Sequence, residues 1–272
     1  MRPSIPLNYA NTIPLQYPVV LVHGIVAHDR TTDHNRFWGK IPETLENNGI
    51  QVFYGNTDAW GNFESNALLL KYTVEKILLD TKKERVNIIA HSKGGIDARF
   101  LIWKHNYSDK TASLTTICAP HHGSEIADLI YKQKAVHTKL SKKALKLFGK
   151  LSGDINPNLY EVNHQLTTKK MEEFNKTVAM DSRVYYQSLY TTMDNAFDDL
   201  LFFYTYLYIK NVSGANDGVV SEYSARWGDN ISKIKGGISH SEILDHKKKK
   251  ISGVHIPGVY LDLAVELGKK GF

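Results

Sequence analysis

Val86-Asn87-Ile88-Ile89-Ala90-His91-Ser92-Lys93-Gly94-Gly95 is the stretch on which the fold turns. Val86 to Ala90 is a short apolar run of the kind that forms a strand buried on both faces. Gly94 to His105 carries helical spacing. Ser92 lies on the sharp turn between them, where its Oγ is pushed clear of the sheet. Strand and helix pass close together at such a turn, so small residues are needed two positions before and after the serine. Ala90 and Gly94 supply them. Ala-x-Ser-x-Gly also occurs by chance, and an ordinary helix N-cap contains the same serine. The strand before, the helix after and Gly95 behind favour a nucleophile.

Outward from this turn the elements alternate. Val19 to Val22 reads as a buried strand that starts after Pro18 and stops at His23-Gly24. Phe37 to Asn48 has helical spacing, Gln51 to Tyr54 reads as a strand, and Asn62 to Thr81 as a long helix with Leu69, Tyr72, Val74, Ile77 and Leu78 at its apolar positions. Leu114 to Cys118 is strand-like and stops at Pro120. This order predicts an α/β fold with a mostly parallel central sheet and helices on both faces. Residues 121–180 interrupt the rhythm. Leu140, Ala144, Leu147, Phe148 and Leu151 form one helical stripe, and Lys139, Lys142, Lys143, Lys146 and Lys150 fill the other face. After the insert, Val184 to Leu189 resumes the strand pattern, Ala196 to Ile209 reads as helical, and Ile256 to Lys269 as a closing helix. We expect one domain over residues 1–272, with 121–180 as a cap and about Leu129 to Leu151 as a helical lid.

Composition narrows the class. The 272 residues are 42% hydrophobic and 23% charged, which suits a globular domain rather than disorder or a repeat. Cys118 is the only cysteine, so an intrachain disulfide and a cysteine-based zinc site are excluded. The 34 Lys and Arg against 28 Asp and Glu give a net charge of +6. Its concentrations, Lys139 to Lys150 and Lys247 to Lys250, are not interleaved with aromatics, so no nucleic-acid partner is expected. The first seventeen residues carry Pro3, Pro6 and Pro14 and lack the apolar core of a secretory signal. The longest apolar stretch, Leu200 to Ile209, has ten residues, whereas a transmembrane helix needs about 20.

A nucleophilic serine requires a base and an acid that orients it. Asn216-Asp217-Gly218-Val219-Val220 is a turn after a long apolar element, from which a carboxylate can reach inward; the same three residues are also plain turn chemistry. His240 follows in the Gly-rich stretch Lys235-Gly236-Gly237-Ile238-Ser239, a loop suited to a catalytic imidazole. Spacing alone leaves His246 and His255 open as rivals, and reads His91 as a packed residue. The charge developing on a tetrahedral intermediate also needs two main-chain N–H groups. Lys93, next to the nucleophile, supplies one, and Ile25, in the His23-Gly24-Ile25 loop after the first strand, supplies the other.

These residues resemble a known family. Pro18-Val19-Val20-Leu21-Val22-His23-Gly24, the Ala90 to Gly95 turn, Ala119-Pro120-His121-His122-Gly123-Ser124-Glu125-Ile126-Ala127-Asp128-Leu129 and Asn216-Asp217-Gly218-Val219-Val220-Ser221 look like the true lipases of the Pseudomonas, Burkholderia and Proteus group. The likeness covers about residues 17–130 and 184–245. It implies the α/β-hydrolase fold and a serine-dependent carboxylic ester hydrolase, a triacylglycerol lipase acting through an acyl-enzyme at a lipid–water interface without an organic cofactor. It places the catalytic roles on Ser92, Asp217 and His240, favours His240 over its rivals, and puts the oxyanion donors on Ile25 and Lys93. Ala90 departs from the glycine usual in the group. The family's structural calcium corresponds here to Asp194 and Glu242, where glutamate replaces an aspartate and reaches one methylene further. The same catalytic parts would serve a short-chain carboxylesterase or an acyltransferase. A non-catalytic lipid-binding module is the reading from another class.

Overall fold

The computed structural model of the chain describes residues 15–25, 37–133, 137–138, 150, 153–246 and 250–272. Six strands, β1 (Val19–Val22), β2 (Val52–Tyr54), β3 (Val86–His91), β4 (Thr111–Ile117), β5 (Tyr185–Tyr190) and β6 (Ile231–Lys233), form one sheet in the order β2-β1-β3-β4-β5-β6. Every neighbouring pair is parallel. Helices cover both faces, as a parallel sheet demands.

Alternation along the strands sorts the core into two layers. Val19, Leu21, Ile89, Ile117 and Leu189 face α1 (Ile41–Glu46) and the closing helix, here α9 (Ile256–Lys269), which contributes Ile256, Tyr260, Leu261 and Ala264. Val20, Val22, Ile88, Ala90 and Leu114 face α2 (Phe63–Thr81) and α3 (Lys93–Lys104), against Ala67, Leu70, Val74, Ala98 and Leu101. Asn62 caps α2, its side chain accepting from Ser65 N at 2.9 Å. His255 caps α9 by accepting from Gly258 N, with Pro257 in the first turn where its missing N–H costs nothing.

The described part of the insert contains α4 (Glu125–Tyr131), α5 (Leu159–Gln165) and α6 (Thr168–Thr177). Val162, Leu166 and Met171 pack on Phe63, Ile96 and Ala119, with Ile25 beside them. The stripe Leu140, Ala144, Leu147, Phe148 and Leu151 lies outside the described residues. After β5 come α7 (Phe203–Ser213), entered through a 3-10 turn at Leu200–Phe202, and the short α8 (Glu222–Ala225). Among the described residues, no helix is long and apolar enough to cross a membrane.

Four elements differ from the sequence reading. The helix expected from Ala196 begins only at Phe203, because Asp198 caps a turn by accepting from Asp194 N and Asn195 N. β6 has no apolar signal: all three of its residues are exposed at the sheet edge. α5 and α6 each bury a single residue, Val162 and Met171, too few for a periodic stripe.

Candidate active site

The carboxyl ends of the strands carry the site, as open parallel sheets favour. β3 ends at His91, and Ser92 takes φ 54° and ψ −133°. That strained conformation turns the chain directly into α3. It is possible only because the neighbouring loop approaches without side chains. A Cβ on Gly94 would strike the His23 carbonyl oxygen, and one on Gly24 would lie 2.7 Å from Ser92 Cβ.

Ser92 Oγ donates to His240 Nε2 at 3.0 Å, and His240 Nδ1 donates to Asp217 Oδ2 at 2.7 Å. Asp217 is buried. Its other carboxylate oxygen accepts from Val219 N at 2.9 Å and Val220 N at 2.7 Å, closing the turn and orienting the carboxylate. The turn needs glycine at 218, which has φ +95° and lies against Phe202 and Met193. His240 N donates to the Asp217 carbonyl at 2.9 Å, so main chain and side chain bind the same partner.

The rival histidines are placed elsewhere. His246 Nε2 donates to the Phe37 carbonyl, and His255 is the α9 cap. His91 is more than a packed residue. Its Nε2 donates to the His240 carbonyl at 3.1 Å, and its ring lies 4.6 Å from that of His240. Burial above all, then the charge of His240, holds the His91 pKa well below the ordinary histidine value. A neutral ring there avoids a second positive charge beside His240.

Lys93 is the first residue of α3, so its N–H has no carbonyl one turn earlier to bond. Ile25 sits opposite, on the loop after β1. His23 steadies that loop, its Nδ1 donating to the Gly24 carbonyl at 2.7 Å while Thr57 Oγ1 lies 3.3 Å from Nε2. An apolar cavity of about 300 Å³ opens onto Ser92 and His240, lined by Ile25, Phe37, Leu201, Phe202, Val219 and Leu244. A wider hollow of about 720 Å³ lies away from Ser92, lined by polar and charged residues that include Glu125, Asp128, Lys169 and Glu172.

Asp194 is exposed, whereas Glu242 is buried with Oε2 accepting from Ser239 N at 3.0 Å. Among the described residues, one group of three or more His, Cys, Asp or Glu side chains brings its ligand atoms within 4.8 Å of one another. It is Cys118, Asp217 and His240. Neither residue expected to hold calcium belongs to it.

Sequence reasoning missed the buried side chain of Lys93, whose Nζ lies 2.7 Å from both carboxylate oxygens of Asp97. It also missed the cation at Arg99, which sits 4.0 Å from the Trp227 ring and donates to His121 Nδ1 and Asn175 Oδ1. Burial pushes the Arg99 pKa down to about 9. The Lys93–Asp97 spacing of four was a visible signal; Arg99 left none.

The chain is 28% identical over 255 residues to triacylglycerol lipase 2 of Saccharomyces cerevisiae, covering 87% of this chain and 74% of that one. It is 29% identical over 181 residues to the triacylglycerol lipase of Burkholderia plantarii, covering 62% of this chain and 49% of that one. The chain thus spans about half the length of that bacterial relative. The mature lipase of Bacillus licheniformis superposes with a TM-score of 0.69 at 22% identity, covering 92% of this chain and 93% of that one. The lipase of Staphylococcus hyicus superposes with a TM-score of 0.73 at 16% identity, covering 99% of each chain. The family model for palmitoyl protein thioesterase matches residues 18–188. With its parallel sheet, its strand–serine–helix turn and this match, the chain belongs to the palmitoyl protein thioesterase family and is a serine ester hydrolase of the α/β-hydrolase lipase and esterase type.

Proposed function

We propose that the chain hydrolyses carboxylic esters of apolar acyl chains, triacylglycerols foremost, through an acyl-enzyme on Ser92. The observation that carries this reading is the apolar cavity opening onto Ser92 and His240, which suits a hydrocarbon chain better than a polar acyl group. Ser92 Oγ attacks the ester carbonyl as His240 Nε2 takes its proton, and Asp217 keeps the other ring nitrogen protonated. The Ile25 and Lys93 N–H groups receive the charge that develops on the carbonyl oxygen. Collapse of the intermediate expels the alcohol, protonated by His240. Water then attacks the acyl-enzyme by the same route and releases the fatty acid. No cofactor enters these steps.

The mouth of the cavity supports a lipid–water interface as the partner. Phe197, on the turn before α7, Leu200 and Leu201, in the 3-10 turn that enters it, and Tyr204, in its first turn, are each more than 70% exposed, and Leu201 also lines the cavity. Burying such side chains in lipid contributes on the order of 1.5–3 kcal/mol each. We read residues 1–272 as one domain with 121–180 as its cap. Within the family, the four motifs and the match to the Burkholderia plantarii lipase support placement near the Pseudomonas, Burkholderia and Proteus lipases. A second reading, hydrolysis of acyl thioesters, is favoured by the family model matching residues 18–188, and it uses the same acyl-enzyme.

Rates on emulsified triolein, soluble p-nitrophenyl butyrate and a palmitoyl thioester, each against acyl length, test the proposal. We expect triolein to be hydrolysed faster as the interface grows. Turnover of p-nitrophenyl butyrate alone would leave a short-chain esterase. No turnover, together with no fluorophosphonate label on Ser92, would leave a lipid-binding module.

A further inference from the structure

The side chain of Lys93 is not needed for the oxyanion N–H that its main chain supplies, yet it is 1% exposed. Its Nζ donates to Asp97 Oδ1 and Oδ2, both at 2.7 Å, and lies 5.7 Å from the centre of the Phe63 ring. Asp97 Oδ2 also accepts from Asn66 Nδ2 at 2.8 Å. The Asn66 amide grips the main chain of Asp58 from both sides, accepting from its N–H at 3.0 Å and donating to its carbonyl at 2.9 Å. The Asp58 carboxylate in turn accepts from Ile155 N at 2.9 Å and Asn156 N at 2.7 Å. Asp154 answers from the other side, accepting from Ala59 N and Trp60 N at 2.9 and 2.8 Å. The same 57–60 loop meets the His23 ring at Thr57, on the arm that carries Ile25. Both arms of the candidate oxyanion hole and the 154–156 segment of the insert therefore converge on one short loop.

A buried ion pair is a poor device for stability, because taking two charges out of water offsets most of their attraction. What it supplies is fixed geometry. Resting on the serine hydrolase reading above, we infer that Lys93 and Asp97 are positioning residues that hold the oxyanion N–H of Lys93 in place, anchored through Asn66 and Asp58 to the insert. Burial raises the pKa of Asp97, and Lys93 draws it back. A single replacement would leave the other charge stranded, so the pair must be replaced together.

The test compares the wild type with Lys93→Met/Asp97→Leu, which is apolar, and Lys93→Gln/Asp97→Asn, which retains hydrogen-bonding groups without charge. Thermal midpoint, kcat and KM on p-nitrophenyl butyrate, and affinity for an alkyl boronic acid are read for each. The boronic acid forms a tetrahedral adduct on the serine and so probes the oxyanion hole. At matched midpoints, we expect the apolar pair to lower kcat by 10- to 100-fold with KM changed less than threefold, and boronate affinity to fall by the same factor. The Gln–Asn pair should recover most of both. Wild-type kcat and boronate affinity in a folded apolar pair would overturn the inference. If that pair does not fold, Asn66→Ala carries the test: at least a fivefold loss of kcat at constant KM is expected, and wild-type kcat overturns it. The serine hydrolase reading fails separately, by a wild type that neither turns over ester nor takes a fluorophosphonate on Ser92.

Discussion

Asp217→Asn isolates the orienting role proposed for this carboxylate. The structure dictates which way the new amide must face. Asp217 Oδ1 accepts two main-chain N–H groups, from Val219 and Val220, so the amide oxygen has to take that side. The NH2 group then faces His240 Nδ1, where the carboxylate had accepted a hydrogen bond at 2.7 Å. Two donors cannot face each other in a buried site, so Nδ1 must give up its hydrogen and the ring carries it on Nε2. That nitrogen can no longer accept the Ser92 proton. Loss of the correct tautomer of this kind lowers kcat by roughly 10⁴-fold, or about 5.4 kcal/mol of barrier. The fold should survive, because both turn hydrogen bonds persist, although a neutral acceptor makes them weaker. We expect a stability loss of about 2–3 kcal/mol, and so a midpoint lower by roughly 5–10 °C. Steady-state hydrolysis of p-nitrophenyl butyrate, thermal unfolding and the ¹⁵N shifts of His240 measure the three consequences. A folded variant that keeps more than a tenth of the wild-type kcat, or keeps the hydrogen on Nδ1, would refute the reasoning.

Ser92→Ala should abolish ester hydrolysis with the thermal midpoint unchanged within about 2 °C; substantial turnover by a variant free of contaminating esterase would mean another nucleophile. Gly24→Ala puts a Cβ 2.7 Å from Ser92 Cβ and 3.3 Å from the His91 carbonyl oxygen, atoms of the turn that cannot yield. Overpacking of about 1–3 kcal/mol and at least a 100-fold loss of kcat/KM are expected, and wild-type activity would contradict the close approach. Burial keeps the pKa of His91 and of His121 well below the ordinary value, with His240 and Arg99 respectively the next causes. The unfolded chain binds those protons near pH 6.5 and the folded chain does not. Stability should therefore fall as pH drops below about 6.5, by up to roughly 1.4 kcal/mol per pH unit for each histidine. A urea midpoint that stays flat from pH 7.5 to 5.5 would contradict this.

Local pattern decided a good deal about this protein. β1 and α9 have the bounds read from residues 19–22 and 256–269, because a fully apolar run and a capped amphipathic helix are written in contiguous residues. The Ser92 turn is legible for the same reason: the strand, the small flanking residues and the helix all lie within one window. β6 was illegible because an exposed edge strand need not be apolar, and α5 and α6 because their packing rests on one buried residue each.

Choosing among His240, His246 and His255 required the fold, or a family likeness standing in for it. The three differ little in local sequence. What separates them is that one stands between Ser92 and Asp217, another against the Phe37 carbonyl, and the third on the first turn of α9. The ion pair shows the division most sharply. Lys93 and Asp97 are four residues apart in the sequence, a spacing that on a solvated helix face means a weak surface pair. Only the packing of Phe63, Asn66 and the 57–60 loop over α3 removes water from that pair. Removing water from the pair alters both its energy and its role, and neither residue's neighbours in the chain encode that.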